Sequence, residues 1–283
     1  MPRVNSTLQQ NRLLTIHTIY ERWHTFCARC SSTLIAVRSL LRGLPLCISS
    51  RPRTPLRVLC IVAFDTLHQL RNTKSLPKYK VRTLSTLLDL GACVNASFDN
   101  KRCCPVEYQE TRRLLREAGI DSLVDEYLQR LKDLEHRRPL PGGDDSRFHE
   151  IRCYREAVAR LSLGMVAATV NGNQSLGEGI RATACDADLN ILWRTVMQCQ
   201  LIDDVLDYTK DRSGGLPSFL TATTLLPQGL EFTRRAALGY ADIRAISRTG
   251  NLFPMRAALF LVSLCAKLAI YWGRLRQLTT LAR

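Results

Sequence analysis

Between Gln198 and Phe219 the chain reads QCQLIDDVLDYTKDRSGGLPSF, which sets four aspartates among leucine, isoleucine, valine and tyrosine. A helix through this stretch is apolar almost all round, because Leu201, Ile202, Val205, Leu206 and Tyr208 cover most of its circumference. Such a helix needs apolar neighbours on nearly every side, and a bundle of helices supplies them. Asp203, Asp207 and Asp211, each four residues apart, project along one face. Asp204 lies beside them, and Gln200 stands one turn earlier on the same side.

The rest of the sequence agrees with an all-α fold. Strand alternation and hairpin signals are missing. Helical stretches are expected near residues 8–42 and 55–72, separated by the breaker-rich SSRPRTP, and from about Lys80 through VRTLSTLLDLGACV. Pro105 suits a helix first turn and Gly119 its end; Asp121 is expected to cap the next helix, which PLPGGDD closes. A long helix from Ser146 stops at NGN. The aspartate helix is expected to start at Asp186 or Asp188 and run unbroken to Ser213-Gly214-Gly215. Two more follow, near 227–248 and from about Pro254.

Charge is unevenly spread. The net charge is +15, and residues 1–80 hold 13 Lys/Arg against only Glu21 and Asp65, a net +11. This predicts a basic helical extension over residues 1–78, able to touch a membrane surface peripherally, before a helical domain over 79–283. A plain solvated basic surface is the alternative. No DNA- or RNA-reading motif accompanies the charge and aromatics are few, so nucleic acid is not the expected partner. Eleven cysteines without regular spacing, and no secretory signal at the start, suggest reduced, buried thiols in a cytoplasmic protein. Cys27 and Cys30 form a lone CxxC with no second pair at zinc spacing. Ala257–Gly273 is strongly apolar, but Lys267 interrupts it, which favours a buried or membrane-surface helix over a span.

Unpaired carboxylates inside an apolar helix are costly, and neighbouring like charges add to the cost. They call for cations. Mg²⁺ takes one or two carboxylates and fills the remainder of its shell with water and phosphate. Asp203, Asp204, Asp207 and Asp211 therefore read as a Mg²⁺ site that awaits a phosphorylated ligand. The competing reading is an acidic stripe turned to solvent and ion-paired with Lys210 and Arg212.

These residues carry a resemblance. DDVLD at 203–207 resembles the second aspartate-rich motif of trans-polyprenyl diphosphate synthases. DYTKDRSGG at 207–215 is similar to the DYxxDxxxG pattern of squalene and phytoene synthases. YREAVARLSLG, Tyr154 to Gly164, resembles the YxxxVAxxxG helix of the latter, and Tyr154 precedes Asp203 by 49 residues. The resemblance covers about Phe148 to Leu220. It implies the class I isoprenoid synthase (terpenoid synthase) fold, a helical bundle around a central apolar cavity with diphosphate and Mg²⁺ at its mouth.

It also implies a facing aspartate helix. The candidate is LLDLGACVNASFDNKR, with Asp89 and Asp99 as further metal ligands, but it has no DDxxD and Ala96 stands where an acid is expected. Glu150 and Glu156 are an alternative acidic pair. The implied chemistry is ionisation of an allylic prenyl diphosphate, with squalene/phytoene-type condensation favoured over chain elongation or cyclisation. Asp203 and Asp207 would carry catalysis with Tyr154 as cavity wall or proton relay, and Arg155, Lys210, Arg212 and Gln200 would bind the substrate. Because the facing motif is irregular, a folded but non-catalytic member is the competing expectation.

Overall fold

The computed structural model describes residues 4–47, 55–98, 105–143, 145–172, 175–242 and 253–281. All regular structure among them is helical, in eleven helices: α1 (Val4–Cys47), α2 (Pro55–Asn72), α3 (Lys78–Phe98), α4 (Pro105–Glu117), α5 (Asp121–His136), α6 (Asp145–Asn171), α7 (Leu176–Cys185), α8 (Ala187–Leu206), α9 (Tyr208–Gly214), α10 (Leu226–Ala241) and α11 (Phe253–Leu281). Contacts divide the chain into two units, Met1–Ser75 with Ser247–Met255, and Leu76–Ile246 with Arg256–Arg283.

In the first unit α1 pairs with α2 through its small residues. Ser39 and Gly43 are buried, and a Cβ on Gly43 would fall 2.6 Å from Val62 Cγ2, so the missing side chain lets the helices close. Polar groups follow the same seam. Gln69 Nε2 donates to Ser39 Oγ at 2.6 Å and to Asp65 Oδ2 at 2.8 Å, while Arg42 reaches both Asp65 oxygens at 3.2 Å. Val58, Ile61, Val62, Phe64 and Leu67 of α2 are buried. Among the described large apolar side chains of α1, Trp23, Phe26, Leu34, Val37, Leu40 and Leu41 are exposed instead.

The second unit is organised around α6, which packs on α3, α5, α7 and α8. From Leu163 to Val170 every residue of α6 is buried, so this part of the helix has neighbours all round. The crossing of α6 and α7 is tight. A Cβ on Gly164 would lie 2.7 Å from Ile180 N, and one on Gly179 would lie 2.2 Å from Gly164 O. Ile151, Met165, Met197, Phe219 and Tyr240 fill the interior. Gln198, fully buried on α8, donates to Ala237 O of α10 at 2.7 Å.

Three local expectations differ. Helix α7 occupies Leu176–Cys185, where Gly177 and Gly179 weaken helix propensity and hide it from a sequence reading. Asp121 does not cap α5; it is the first residue of that helix and pairs with Arg112 at 2.9 Å and Arg116 at 3.3 Å. The aspartate helix is not continuous, because α8 ends at Leu206 and Asp207 (φ −94°, ψ 8°) joins it to α9. The stop at Gly215 is as expected, with φ +62° in the left-handed region that glycine adopts freely.

Candidate functional site

The break at Asp207 divides the aspartate stretch between α8 and α9. Asp207 N donates to Asp203 O at 2.8 Å, and Asp211 N to Asp207 O at 2.9 Å. These bonds close the end of α8 and open α9, and between them the ladder is interrupted. The four carboxylates meet different surroundings. Asp203 is exposed, Asp207 and Asp211 are half-buried, and Asp204 is 2% exposed.

Asp204 is fully engaged by the protein. Its Oδ1 accepts from Arg155 Nη2 at 2.6 Å, and its Oδ2 accepts from the backbone N–H of Phe219 at 2.7 Å. Burial pushes its carboxyl above the ordinary range, and Arg155 and the Phe219 N–H oppose that push. Phe219 is in turn buried against Phe148, with ring centroids 5.8 Å apart, and Phe148 stacks on Phe232 at 4.7 Å. Asp204 thus ties α6, α8 and the segment after α9 together, and its expected place as a metal ligand is occupied by protein donors.

The remaining carboxylates are crowded. Asp211 is pushed up to about 6, first by burial and then by the charge of Asp204, with Asp207 adding and Arg155 opposing. Lys210 Nζ donates to Asp207 Oδ2 at 2.6 Å, with both side chains substantially exposed. This is the solvent-side ion pair of the competing reading, and it is weak. Arg212 donates to Tyr208 Oη at 3.0 Å, so it turns along α9 rather than toward an aspartate.

Two polar atoms on residues of the expected site lack partners. Gln200 Oε1 and Arg155 Nε are both buried without a hydrogen bond. Burying such atoms unpaired is costly, so each marks a place where a bound group would be stabilised. Arg155 also acts on the charge of Asp211. The structure therefore gathers Arg155, Asp204, Asp207 and Asp211 into one electrostatic neighbourhood.

Tyr154 faces elsewhere. Its O–H donates to Glu135 Oε1 of α5 at 2.6 Å, and burial together with that bond raises its pKa. Glu135 lines an open groove of about 340 Å³ with Phe98, His136, Arg138, Pro139, Leu140 and Gly215. The groove brings the end of α3, the end of α5 and the cap of α9 together. Asp89 lies on α3, half-buried; Asp99, directly after Phe98, falls outside the described residues. Glu150 is an exposed partner of Arg147. Glu156 is held inside the fold, accepting from Tyr240 Oη at 2.6 Å and Arg152 Nε at 2.8 Å.

Among the described residues no three His, Cys, Asp or Glu side chains converge as a metal-binding group. The donor set is still suited to a hard cation that takes two carboxylates and completes its shell with water and phosphate, with Asp207 and Asp211 as the closest match. Sequence reasoning missed Glu135 and the Phe219 N–H. The first carries no motif, and the second is a backbone group brought back by the turn at Gly215. Comparison with protein-family models, with curated proteins and with solved structures finds no match to this chain.

Proposed function

We propose that this chain is a Mg²⁺-dependent isoprenoid synthase of the class I type, acting on a prenyl diphosphate, with squalene/phytoene-type condensation favoured over elongation and cyclisation. The observation that carries the reading is an imbalance around the Arg155–Asp204 pair. Burial and the charges of Asp204 and Asp207 hold the Asp211 proton to about 6, while Arg155 leaves its buried Nε unpaired. A cation relieves the first, and a phosphate oxygen accepts from the second. The motif spacing supports the same reading.

In this reading Asp207 and Asp211 would hold Mg²⁺, which when bound would neutralise the diphosphate leaving group. Arg155 keeps Asp204 fixed with one nitrogen and offers Nε toward the ligand. Lys210 exchanges Asp207 for diphosphate oxygen as the substrate arrives. Loss of diphosphate leaves an allylic cation, and water must be kept from it by the apolar side chains around the site.

The test is diphosphate release from farnesyl and geranylgeranyl diphosphate with Mg²⁺, with products identified by mass spectrometry. Turnover that falls at least about a hundredfold in Asp207→Ala and Asp211→Ala supports the reading. Absence of release from every prenyl diphosphate tried sinks it. One observation favours a second reading, a non-catalytic member of the same fold: Asp204 is committed to Arg155 and Phe219, and no three carboxylates converge among the described residues.

A further inference from the structure

Helix α11 presents an apolar face that the fold leaves uncovered. Phe260, Leu261, Leu264, Leu268, Tyr271 and Trp272 are 45–67% exposed, and Leu275 continues the row. Their spacing places them on one side of the helix. The opposite side is the packed one, where Leu259, Ser263, Ala266 and Ile270 are 0–5% exposed. A Cβ on Gly273 would lie 3.3 Å from Leu230 and 3.4 Å from Val205, and Arg274 Nη2 donates to Glu231 Oε2 at 2.8 Å. Helix α11 is thus apolar on both sides, with one side fastened to α8 and α10.

We propose that α11 lies along an anionic lipid surface, with its uncovered face inserted among the headgroups and upper acyl chains. Three observations select this occupant. The helix has basic residues and no acidic one, and Lys267 is exposed while Arg274 is paired with Glu231, so the charge its surface presents is positive and complements anionic lipid. Exposed Lys267 falls at the rim of the apolar face, where its stem can cover apolar surface while the ammonium reaches phosphate. Tyr271 and Trp272 stand together at one end of the row, and such amphipathic rings favour the level of the headgroups.

A second copy would bury the same face, but it would set two acid-free basic helices against each other in a chain of net charge +15. A crossing is disfavoured although Phe253–Leu275 is 23 residues long and of high mean hydropathy. Spanning would strip the fastened side from its partners. The helix therefore lies in the surface, apolar side down, as interfacial helices do. This inference does not rest on the prenyl-diphosphate reading.

Flotation of the full chain with phosphatidylcholine vesicles and with mixed phosphatidylcholine–phosphatidylserine vesicles tests it. Binding is expected to the mixed vesicles and to weaken with salt. Leu264→Glu with Leu268→Glu, both at exposed positions, should lower vesicle affinity at least about tenfold with the melting temperature unchanged. Lys267→Ala should lower it about fivefold at low salt. Brominated phospholipid should quench the native tryptophan emission, and Trp272→Phe should remove most of that quenching while leaving the face apolar. Unchanged binding in the double variant, or equal quenching with and without Trp272, overturns the proposal. So does concentration-dependent self-association that the double variant abolishes while vesicles remain unbound.

Discussion

Arg155 and Asp204, 49 residues apart in sequence, meet at 2.6 Å with Asp204 2% exposed. That separation equals the one between Tyr154 and Asp203, so a single ion pair locks together the two stretches that carry the motif resemblance. Breaking a buried pair from one side leaves the other charge stranded. Arg155→Ala should cost about 3 kcal/mol of stability in denaturant titration, most of it from the orphaned Asp204. Arg155→Ala combined with Asp204→Asn should cost clearly less than the sum of the two single changes. Additive losses would show that the pair is not coupled.

Asp211 gives a pH signature of definite sign. Its folded-state carboxyl sits near 6, above the ordinary carboxylate value of about 4 in the unfolded chain. The folded state therefore holds the proton more tightly, and this residue's contribution to stability falls as pH rises from about 4 to about 6. Asp211→Asn should raise stability at pH 8 by about 1 kcal/mol, after discounting for its half-exposure, and leave it nearly unchanged at pH 4. Added Mg²⁺ should raise the wild-type melting temperature above pH 6 and do much less in Asp211→Asn. An equal response of both proteins to the ion would remove Asp211 from the ligand set.

The α6–α7 crossing should be among the least tolerant places in the molecule. Gly179→Ala drives a methyl to within 2.2 Å of a backbone carbonyl, and Gly164→Ala to 2.7 Å of a backbone nitrogen. Each should cost at least about 2 kcal/mol, with Gly179→Ala the worse. Gly91→Ala is the matched control. It lies inside α3 with nothing within 4 Å of the new methyl, and it should stabilise by about 0.5–1 kcal/mol. Thermal melts of the three variants check the ranking.

Glu156 and Tyr240 offer a smaller contrast. Tyr240 is 2% exposed and its O–H bonds Glu156 at 2.6 Å. Glu156→Ala strands that hydroxyl and should cost about 2 kcal/mol, whereas Tyr240→Phe should cost about 1 kcal/mol. Chemical denaturation of both variants decides it, and equal costs would mean that water reaches the hydroxyl.

Helix positions were legible because their punctuation is local. Pro105, Gly119, Gly172 and Gly215 mark ends through their own backbone preferences. What the sequence hides is long-range. That Asp204 turns inward while Asp203 stays in solvent depends on Arg155 arriving from α6, and on Phe219 returning 15 residues later. Two adjacent identical residues cannot reveal which of them the fold will bury. Helix α7 was hidden for a related reason, since the glycines that make it look weak are required by the crossing with α6.

The pairing of α1 with α2 through Ser39 and Gly43 reverses the usual guide to which substitutions a helix will accept. Recoding Trp23, Phe26 and Leu34 to hydrophilic residues, drastic on paper, leaves the hairpin's seam untouched. Enlarging Ser39 or Gly43 by a few carbons, modest on paper, pries the two helices apart. Anyone recasting this segment for solubility can therefore work freely on these exposed bulky residues and must leave Ser39 and Gly43 alone.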